Sequence, residues 1–443
     1  MTRRASVLFV TAALILSLAT PVATAHGNHH GGHRLYEPGV ALDLIGEIKG
    51  APYEIRFPAD WNGTLVLYAH GYRDAFDHPL DTTDRSIPEN NVADSAPGGD
   101  AFEDALLAQG YALAGSLYAS DGWAVRDGIG DTRRLVRYVQ TKVAKPDTTI
   151  QWGFSMGSVV TMEMAEHNRA VDGFIAACAV GAGATDAWNV LLTLTLAYDA
   201  ALGWPTEWGT PTDVPEFLDF EEFVFPVLLG QVSDPANLPL FEFVRLVSDL
   251  PPGTFYTNWL FTDMYFATEA RAELERRAGG PVTSNPKHVY AVEPDEAAYL
   301  ASLGVDVDGL LAEMNSTHTV AAMQQRQYLR RNADYTGRLR APMLTLHTTV
   351  DGLVPVVHES AYRETVEAAG YEDLLYQTYV LADGHCAFSP EQLVTVIVAM
   401  EAWLDTGVMP VAAQFPDALG FDPDFEPGPW PQPRRGKSYG MSG

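Results

Sequence analysis

Two kinds of hydrophobic pattern alternate along most of the chain. Short apolar runs rich in β-branched and aromatic residues, such as Thr64–Gly71, predict buried strands. Stretches with apolar residues at three- and four-residue spacing, such as Met156–Ala170, predict the helices between them. Strands that alternate with helices indicate βαβ units. We therefore expect an α/β fold with a mostly parallel central sheet flanked by helices.

The alternation stops in the middle of the chain and returns later. Residues 183–339 contain long apolar and aromatic segments separated by Pro and Gly, which predict a large, mainly helical cap. The first part of the core is then expected at 39–182 and the second part at 340–408. Residues 409–443 are rich in Pro and Gly, and we expect this extension to lie along the surface.

The first residues are typical of an export signal. Two arginines, an apolar run and the small residues before His26 predict a signal peptide at 1–25. No later run approaches the roughly 20 apolar residues that cross a bilayer, so we expect a soluble, secreted protein without membrane insertion. Residues 26–38 form a His/Gly-rich tail that cannot build a packed site, and no metal is predicted.

Charge and cysteine content narrow the possible partners. The chain has 57 acidic and 28 basic residues, a formal net charge of −29, and such a surface repels nucleic acid. The chain has two cysteines, Cys178 and Cys386, too few for a disulfide scaffold or a Cys-rich metal site. The partner that we expect is a small-molecule or polymer substrate. The oligomeric state stays open.

The residues Gly153 to Gly157 match the G-x-S-x-G pattern around Ser155. A β-rich run precedes the serine and a helical pattern follows it, the strand–turn–helix context in which a nucleophilic serine is exposed. The two glycines remove Cβ atoms where strand and helix approach each other. The alternative is that Ser155 is only a small residue in a tight turn.

A serine hydroxyl is a weak nucleophile, so it needs a histidine as base and a carboxylate that orients the histidine. Asp351 and His385 each follow a predicted strand, where open α/β sheets bind ligands. Asp383 is a rival acid, but a carboxylate from the preceding strand is better placed than one in the histidine's own loop. Three other histidines are interpreted as structural: His70, His347 and His358.

With serine, acid and histidine in this order, the chain resembles the α/β-hydrolases from about residue 42 to 406, with the cap after the sixth core strand. The resemblance implies Ser155 as nucleophile, Asp351 as acid and His385 as base. It also implies an oxyanion hole formed by the backbone amides of Met156 and Tyr72. The amide of Gly71 is the alternative to that of Tyr72 if the turn differs.

The His385-Cys386 pair resembles tannases and feruloyl esterases, in which a disulfide joins a cysteine before the nucleophile to one after the histidine. In this chain Phe154 precedes Ser155, so the resemblance implies Cys178 as the partner of Cys386. Both the bridged and the free state remain open from the sequence.

These observations together predict a secreted serine hydrolase that cleaves a carboxylic ester through an acyl-enzyme and needs no cofactor. Aromatic residues of the cap are candidates for an apolar or aromatic substrate pocket: Trp188, Phe255 and Trp259. A peptidase or acyltransferase on the same fold is the alternative within the class. An inactive surface- or carbohydrate-binding protein is the alternative from another class.

Overall fold

The computed structural model describes residues 34–74, 99–253 and 255–430. The predicted signal peptide, most of the His/Gly-rich tail and the last 13 residues of the C-terminal extension lie outside the described residues. The corresponding expectations therefore stay predictions.

An eight-stranded sheet forms the centre of the chain. Its strands are β1 (Leu42–Ile48), β2 (Ala51–Phe57), β3 (Thr64–Ala69), β4 (Ala112–Ser116), β5 (Thr148–Phe154), β6 (Gly173–Ala177), β7 (Met343–Val350) and β8 (Leu375–Asp383). Their order across the sheet is β1-β2-β4-β3-β5-β6-β7-β8. The pairings from β4 to β8 are parallel, whereas β2 is antiparallel to both β1 and β4. The prediction of a mostly parallel α/β sheet is confirmed.

The first strand of the sheet, β1, has a weak hydrophobic pattern in the sequence. Strand β1 is an edge strand whose side chains alternate between half-buried and exposed positions. A strand that is buried on one face only carries charged residues such as Asp43 and Glu47, which weaken its hydrophobic signal.

Thirteen α-helices occur in the described residues. They are α1 (Gly99–Ala108), α2 (Val125–Tyr138), α3 (Met156–His167), α4 (Ala184–Leu202), α5 (Phe225–Val232), α6 (Leu238–Val247), α7 (Leu260–Tyr265), α8 (Arg271–Ala278), α9 (Pro294–Ser302), α10 (Val307–Ser316), α11 (Met323–Ala333), α12 (Val357–Ala369) and α13 (Pro390–Thr406).

The helices cover both faces of the sheet. On one face Val136 of α2, Val160 of α3 and Val366 of α12 belong to one cluster of buried side chains with the sheet. On the other face Phe102 of α1 and Met400 of α13 belong to a second cluster. Two-sided coverage explains why the inner strands β3 to β7 are buried along nearly their whole length.

Helices α4 to α11 lie between β6 and β7 and have a hydrophobic core of their own. Fully buried side chains such as Trp208, Phe241 and Leu260 form its centre. The described segment is helical, as the aromatic-rich pattern predicts, and the boundaries of the cap and core parts stay predictions. None of the helices in the described residues combines the length and apolar character of a bilayer crossing.

The described part of the C-terminal extension packs against the core. Phe421 pairs with Val380 of β8, and Phe415, Phe421 and Trp430 are buried. Because these aromatic side chains lose their exposure to water, they hold a segment whose regular structure is limited to two short 3-10 helices, Ala412–Gln414 and Asp417–Leu419.

A disulfide joins Cys178 and Cys386, whose Cα atoms lie 5.3 Å apart. Cys178 follows β6 directly, and Cys386 lies in the segment after β8. The bridge therefore connects the carboxyl ends of two non-adjacent strands. In the sequence, the helical segment between β6 and β7 lies between its two cysteines.

We expect the double substitution Cys178→Ser and Cys386→Ser to lower the free energy of unfolding by about 2–5 kcal/mol, because the bridge closes a long loop. Urea unfolding followed by tryptophan fluorescence measures the change. A reductant should bring the wild type to the variant's level and leave the variant unchanged. Equal stability of oxidised wild type and variant would contradict a stabilising role.

Candidate active site

Ser155 occupies a strained turn between β5 and α3. Its φ angle is +53°, a value that residues with a Cβ atom rarely adopt. A Cβ at Gly157 would clash with the carbonyl groups of Ala69 and His70, and one at Gly153 would clash with the carbonyl of Gly157. The glycines of the G-x-S-x-G pattern therefore permit the close approach of β5, α3 and the end of β3 that sets the turn.

The structure brings Ser155, His385 and Asp351 together. The Oγ–H of Ser155 donates to Nε2 of His385 over 2.9 Å, and Nδ1–H of His385 donates to Oδ2 of Asp351 over 2.7 Å. Asp351 follows β7 and His385 follows β8, so both side chains reach the same edge of the sheet as Ser155. Asp351, and not the rival Asp383, is the carboxylate that His385 contacts through Nδ1.

Both oxygens of the Asp351 carboxylate accept hydrogen bonds. Its Oδ1 atom accepts hydrogen bonds from the amides of Leu353 (3.0 Å) and Val354 (2.9 Å), which leaves Oδ2 for His385. Burial alone would raise the pKa of Asp351, but the charge of His385 and hydrogen bonds from His347 and His385 outweigh burial and hold the pKa below its usual value. Asp351 is therefore ionised.

His347 of β7 lies behind this acid and was interpreted from the sequence as a structural strand residue. Its Nε2 atom lies 3.6 Å from Oδ2 of Asp351 and donates to the carbonyl of Val354 over 2.9 Å. Its Nδ1 atom lies 3.0 Å from Oε1 of Glu359. Both ring nitrogens thus face oxygen acceptors, which an imidazolium satisfies with two N–H donors.

The charge state of His347 follows from these contacts. Burial alone would lower the pKa of His347, but hydrogen bonds with Asp351 and Glu359 raise it to about 10. The other oxygen of Glu359 accepts hydrogen bonds from Thr345 and Gln377. A buried histidine needs polar partners. A histidine within an apolar strand is therefore a sequence signal for a buried polar network, although it does not identify the partner residues.

The two predicted oxyanion donors border the same space as Ser155. Met156 is the first residue of α3, where a backbone amide has no acceptor within the helix. Tyr72 follows β3, and both residues line the cavity beside Ser155. A Cβ at Gly71 would lie 3.4 Å from Cβ of Ser155, so this turn runs alongside the serine. The choice between the amides of Tyr72 and Gly71 stays a prediction.

The space beside Ser155, here called the serine cavity, has a volume of about 70 Å³. Most of its wall is apolar, and the apolar lining residues include Trp123, Trp188, Leu191, Leu194, Phe266 and Leu353. Of the predicted substrate residues, Trp188 lines the cavity. Trp259 is buried against Gly352 and is not among the lining residues, and the side chain of Phe255 lies outside the described residues.

The wall of the serine cavity includes polar side chains that the sequence does not predict as site residues, among them Asp263 and His358, the latter interpreted from the sequence as structural only. His358 lines the cavity, accepts a hydrogen bond from the amide of Ala182 over 3.1 Å, and has a pKa that burial lowers to about 3. Asp263 of α7 also lines it. An acid within a helical stretch is typical of an exposed helix face, so the sequence pattern gave no signal for Asp263.

The strand order, the helices on both faces and the strained serine after β5 define the α/β-hydrolase fold. The chain has this fold, as its resemblance to the family implies.

Comparisons with known proteins give distant similarities. No protein-family model matches the chain. The chain is 22% identical over 428 residues to an o-phthalyl amidase from Xanthobacter agilis, with 83% of this chain and 88% of that protein covered.

Two solved structures are similar at low identity. One is an esterase from Aspergillus oryzae, at 11% identity and a TM-score of 0.39, with 84% of this chain and 80% of that chain covered. The other is an α/β hydrolase from a Medee basin deep-sea metagenome library, at 11% identity and a TM-score of 0.37, with 83% and 100% covered. The likeness to tannases and feruloyl esterases stays a prediction.

The substitution His347→Gln should weaken the pH dependence of stability above neutral pH. The pKa of His347 is raised from 6.5 to about 10, so its charge stabilises the folded state fully below pH 6.5. That stabilisation is lost as the pH rises towards 10. The free-energy difference between wild type and variant should therefore shrink from pH 7 to pH 10, as measured by urea unfolding.

His358→Gln is the matched control, because His358 is also buried but its pKa is lowered to about 3. Its difference from the wild type should stay constant over the same range. A difference for His347→Gln that does not change with pH would contradict the buried imidazolium.

Proposed function

We propose that the protein is a secreted serine hydrolase that cleaves carboxylic esters through an acyl-enzyme. The observation that supports this most directly is the hydrogen-bonded series from Ser155 Oγ through the ring of His385 to the ionised Asp351. Histidine Nε2 at 2.9 Å from a serine oxygen is within reach for proton transfer.

In the acylation step Ser155 Oγ attacks the carbonyl carbon of the ester, and His385 Nε2 takes the hydroxyl proton. The carbonyl oxygen becomes an oxyanion that accepts hydrogen bonds from the amides of Met156 and Tyr72, each worth about 3–4 kcal/mol in such sites. Asp351 stabilises the imidazolium of His385. When the tetrahedral intermediate collapses, His385 gives the proton to the leaving alcohol oxygen.

Deacylation repeats these steps with water as the nucleophile. His385 takes a proton from the water as its oxygen attacks the acyl carbon. A second tetrahedral intermediate forms at the same oxyanion site. Its collapse releases the carboxylic acid and returns the proton from His385 to Ser155 Oγ, which restores the free enzyme.

The wall of the serine cavity favours an apolar or aromatic group next to the scissile bond. Trp188 and Phe266 offer aromatic surface, and Leu191 and Leu194 offer aliphatic surface. Burying such a substrate group contributes roughly 25 cal/mol per Å² of apolar surface. A charged acyl chain without a partner would lose its hydration there.

Amide hydrolysis is the second candidate, and the similarity to an o-phthalyl amidase favours it. The same residues can perform it, because His385 would then protonate a leaving amine.

Secretion is proposed from the export signal in the sequence. The Cys178–Cys386 bridge supports an oxidising compartment.

We expect a fluorophosphonate to label the wild type and not the Ser155→Ala variant, since only the deprotonated Ser155 oxygen attacks phosphorus. Hydrolysis of aryl esters should fall to background in the same variant. Gel fluorescence and a p-nitrophenyl ester assay measure the two effects. Ser302→Ala, which removes an exposed serine of α9, is the matched control and should behave as wild type.

An unlabelled wild type would favour a non-catalytic binding protein instead. A wild type that cleaves the anilide of an aromatic acid faster than the matched aryl ester would replace the ester assignment with amide hydrolysis.

Substitution of the two rival acids should separate their roles. Asp351→Asn should lower kcat by about 10⁴-fold, because an amide cannot stabilise the imidazolium of His385 in the same way. Asp383→Asn should change kcat by less than about threefold, since its carboxylate lies outside the proposed proton path. Steady-state kinetics at constant pH measure both, and equal losses would contradict the assignment of Asp351.

A further inference from the structure

One buried carboxyl group in the serine cavity takes no part in the proposed mechanism. Asp263 is 1% exposed, and neither of its carboxylate oxygens has a hydrogen-bond partner within the described part of the chain. A buried polar group normally has a partner, and an unpaired carboxyl group is especially costly. Asp263 is among the residues that line the same cavity as Ser155.

The surroundings of Asp263 give it no protein cation. None of the described residues that line the serine cavity is Lys or Arg. Burial raises the pKa of Asp263 well above its usual value, and the charge of Asp351 raises it further. Burial without a hydrogen-bond partner in the described residues therefore favours the neutral acid form of Asp263, and a bound cation would favour its ionised form.

The helix geometry around Asp263 is irregular. Helix α7 is flanked by two π-helical turns, Phe255–Trp259 and Phe266–Ala270. Single π-helical turns within helices occur frequently at functional sites, where they redirect side chains. The hydroxyl of Ser248 is also buried and without a partner in the described residues, and it borders the same cavity as Asp263.

A second and larger space, here called the acidic cavity, adjoins the serine cavity. It has a volume of about 660 Å³ and shares Val190 and Ser248 with the serine cavity. Its wall includes four acidic residues, Asp186, Asp249, Glu293 and Glu296. His288 is the one basic residue among its described lining residues, and burial lowers the pKa of His288.

The geometry points to Asp263 as a substrate-recognition residue that binds a primary ammonium group on the substrate. The ammonium nitrogen would donate hydrogen bonds to the carboxylate of Asp263 and to the hydroxyl of Ser248, neither of which has a partner among the described residues. The acidic cavity raises the local concentration of cations next to this site. This inference rests on the proposed function, in which Ser155 cleaves the bond next to the same cavity.

Binding of the ammonium form requires Asp263 to lose its proton to solvent. The ion pair then has no net charge, and it replaces a carboxyl group without a hydrogen-bond partner in the described part of the chain. A neutral hydroxyl group in the same position can form a hydrogen bond but releases no proton. Proton release thus distinguishes the two kinds of ligand.

Calorimetric titration of the full mature protein with three aromatic probes tests this inference: benzylammonium, benzyl alcohol and benzoate. The wild type should bind benzylammonium at least about tenfold more tightly than benzyl alcohol, and benzoate most weakly. Titration in buffers of different ionisation enthalpy should report about one proton released per benzylammonium bound.

Asp263→Asn keeps the size of the side chain and removes its charge. This variant should bind benzylammonium and benzyl alcohol within about twofold of each other and release no proton. Asp308→Asn is the matched control, since it removes an exposed carboxylate of α10 that lines neither cavity. It should keep the benzylammonium preference.

Three results would overturn the inference: tighter binding of benzoate, no preference for benzylammonium in the wild type, or a preference that survives in Asp263→Asn. The wild-type comparison decides even if that variant fails to fold, as judged by circular dichroism. Because the probes contain no cleavable bond, failure of this inference is distinct from failure of the proposed function, which the labelling of Ser155 reports separately.

Discussion

The strained backbone turn at Ser155 is the constraint on which the rest of the site depends. Ser155 adopts a φ of +53° beside the serine cavity, and Gly153 and Gly157 permit this turn because they let β5 and α3 approach the end of β3. Because β5, β7 and β8 run in the same direction, their carboxyl ends meet at one edge of the sheet. The parallel sheet therefore supplies the serine, the acid and the histidine to a single place, although they lie far apart in sequence.

The acid side of the site is a buried charge network. Asp351 accepts two backbone amides and the ring of His385, and His347 lies between Asp351 and Glu359. Burying several charges is costly unless each has a partner, and here each carboxylate faces at least one donor. Such a network holds the acid in one orientation, which His385 needs if its Nε2 atom is to point at Ser155. The Cys178–Cys386 bridge restrains the residue next to His385 in the same way.

Features with a local signal could be predicted from the sequence. The turn at Ser155 needs only a strand, two glycines and a helix in succession, and Asp351 and His385 each follow an apolar run that ends at the sheet edge. Features that depend on distant partners could not. The edge strand β1 is half exposed, so its pattern is weak. A histidine in the apolar strand β7 indicates polar partners, but its local sequence does not identify Glu359, which α12 supplies. Asp263 has an ordinary helical sequence, and its place in the cavity wall depends on the packing of α7.

The most direct test of the account is the intact mass of the protein during turnover of a slowly hydrolysed aryl ester. The account predicts a transient increase equal to one acyl group, and peptide mapping should locate this group on the peptide that contains Ser155. Product formation without a covalent adduct, or an adduct on another residue, would contradict nucleophilic attack by Ser155.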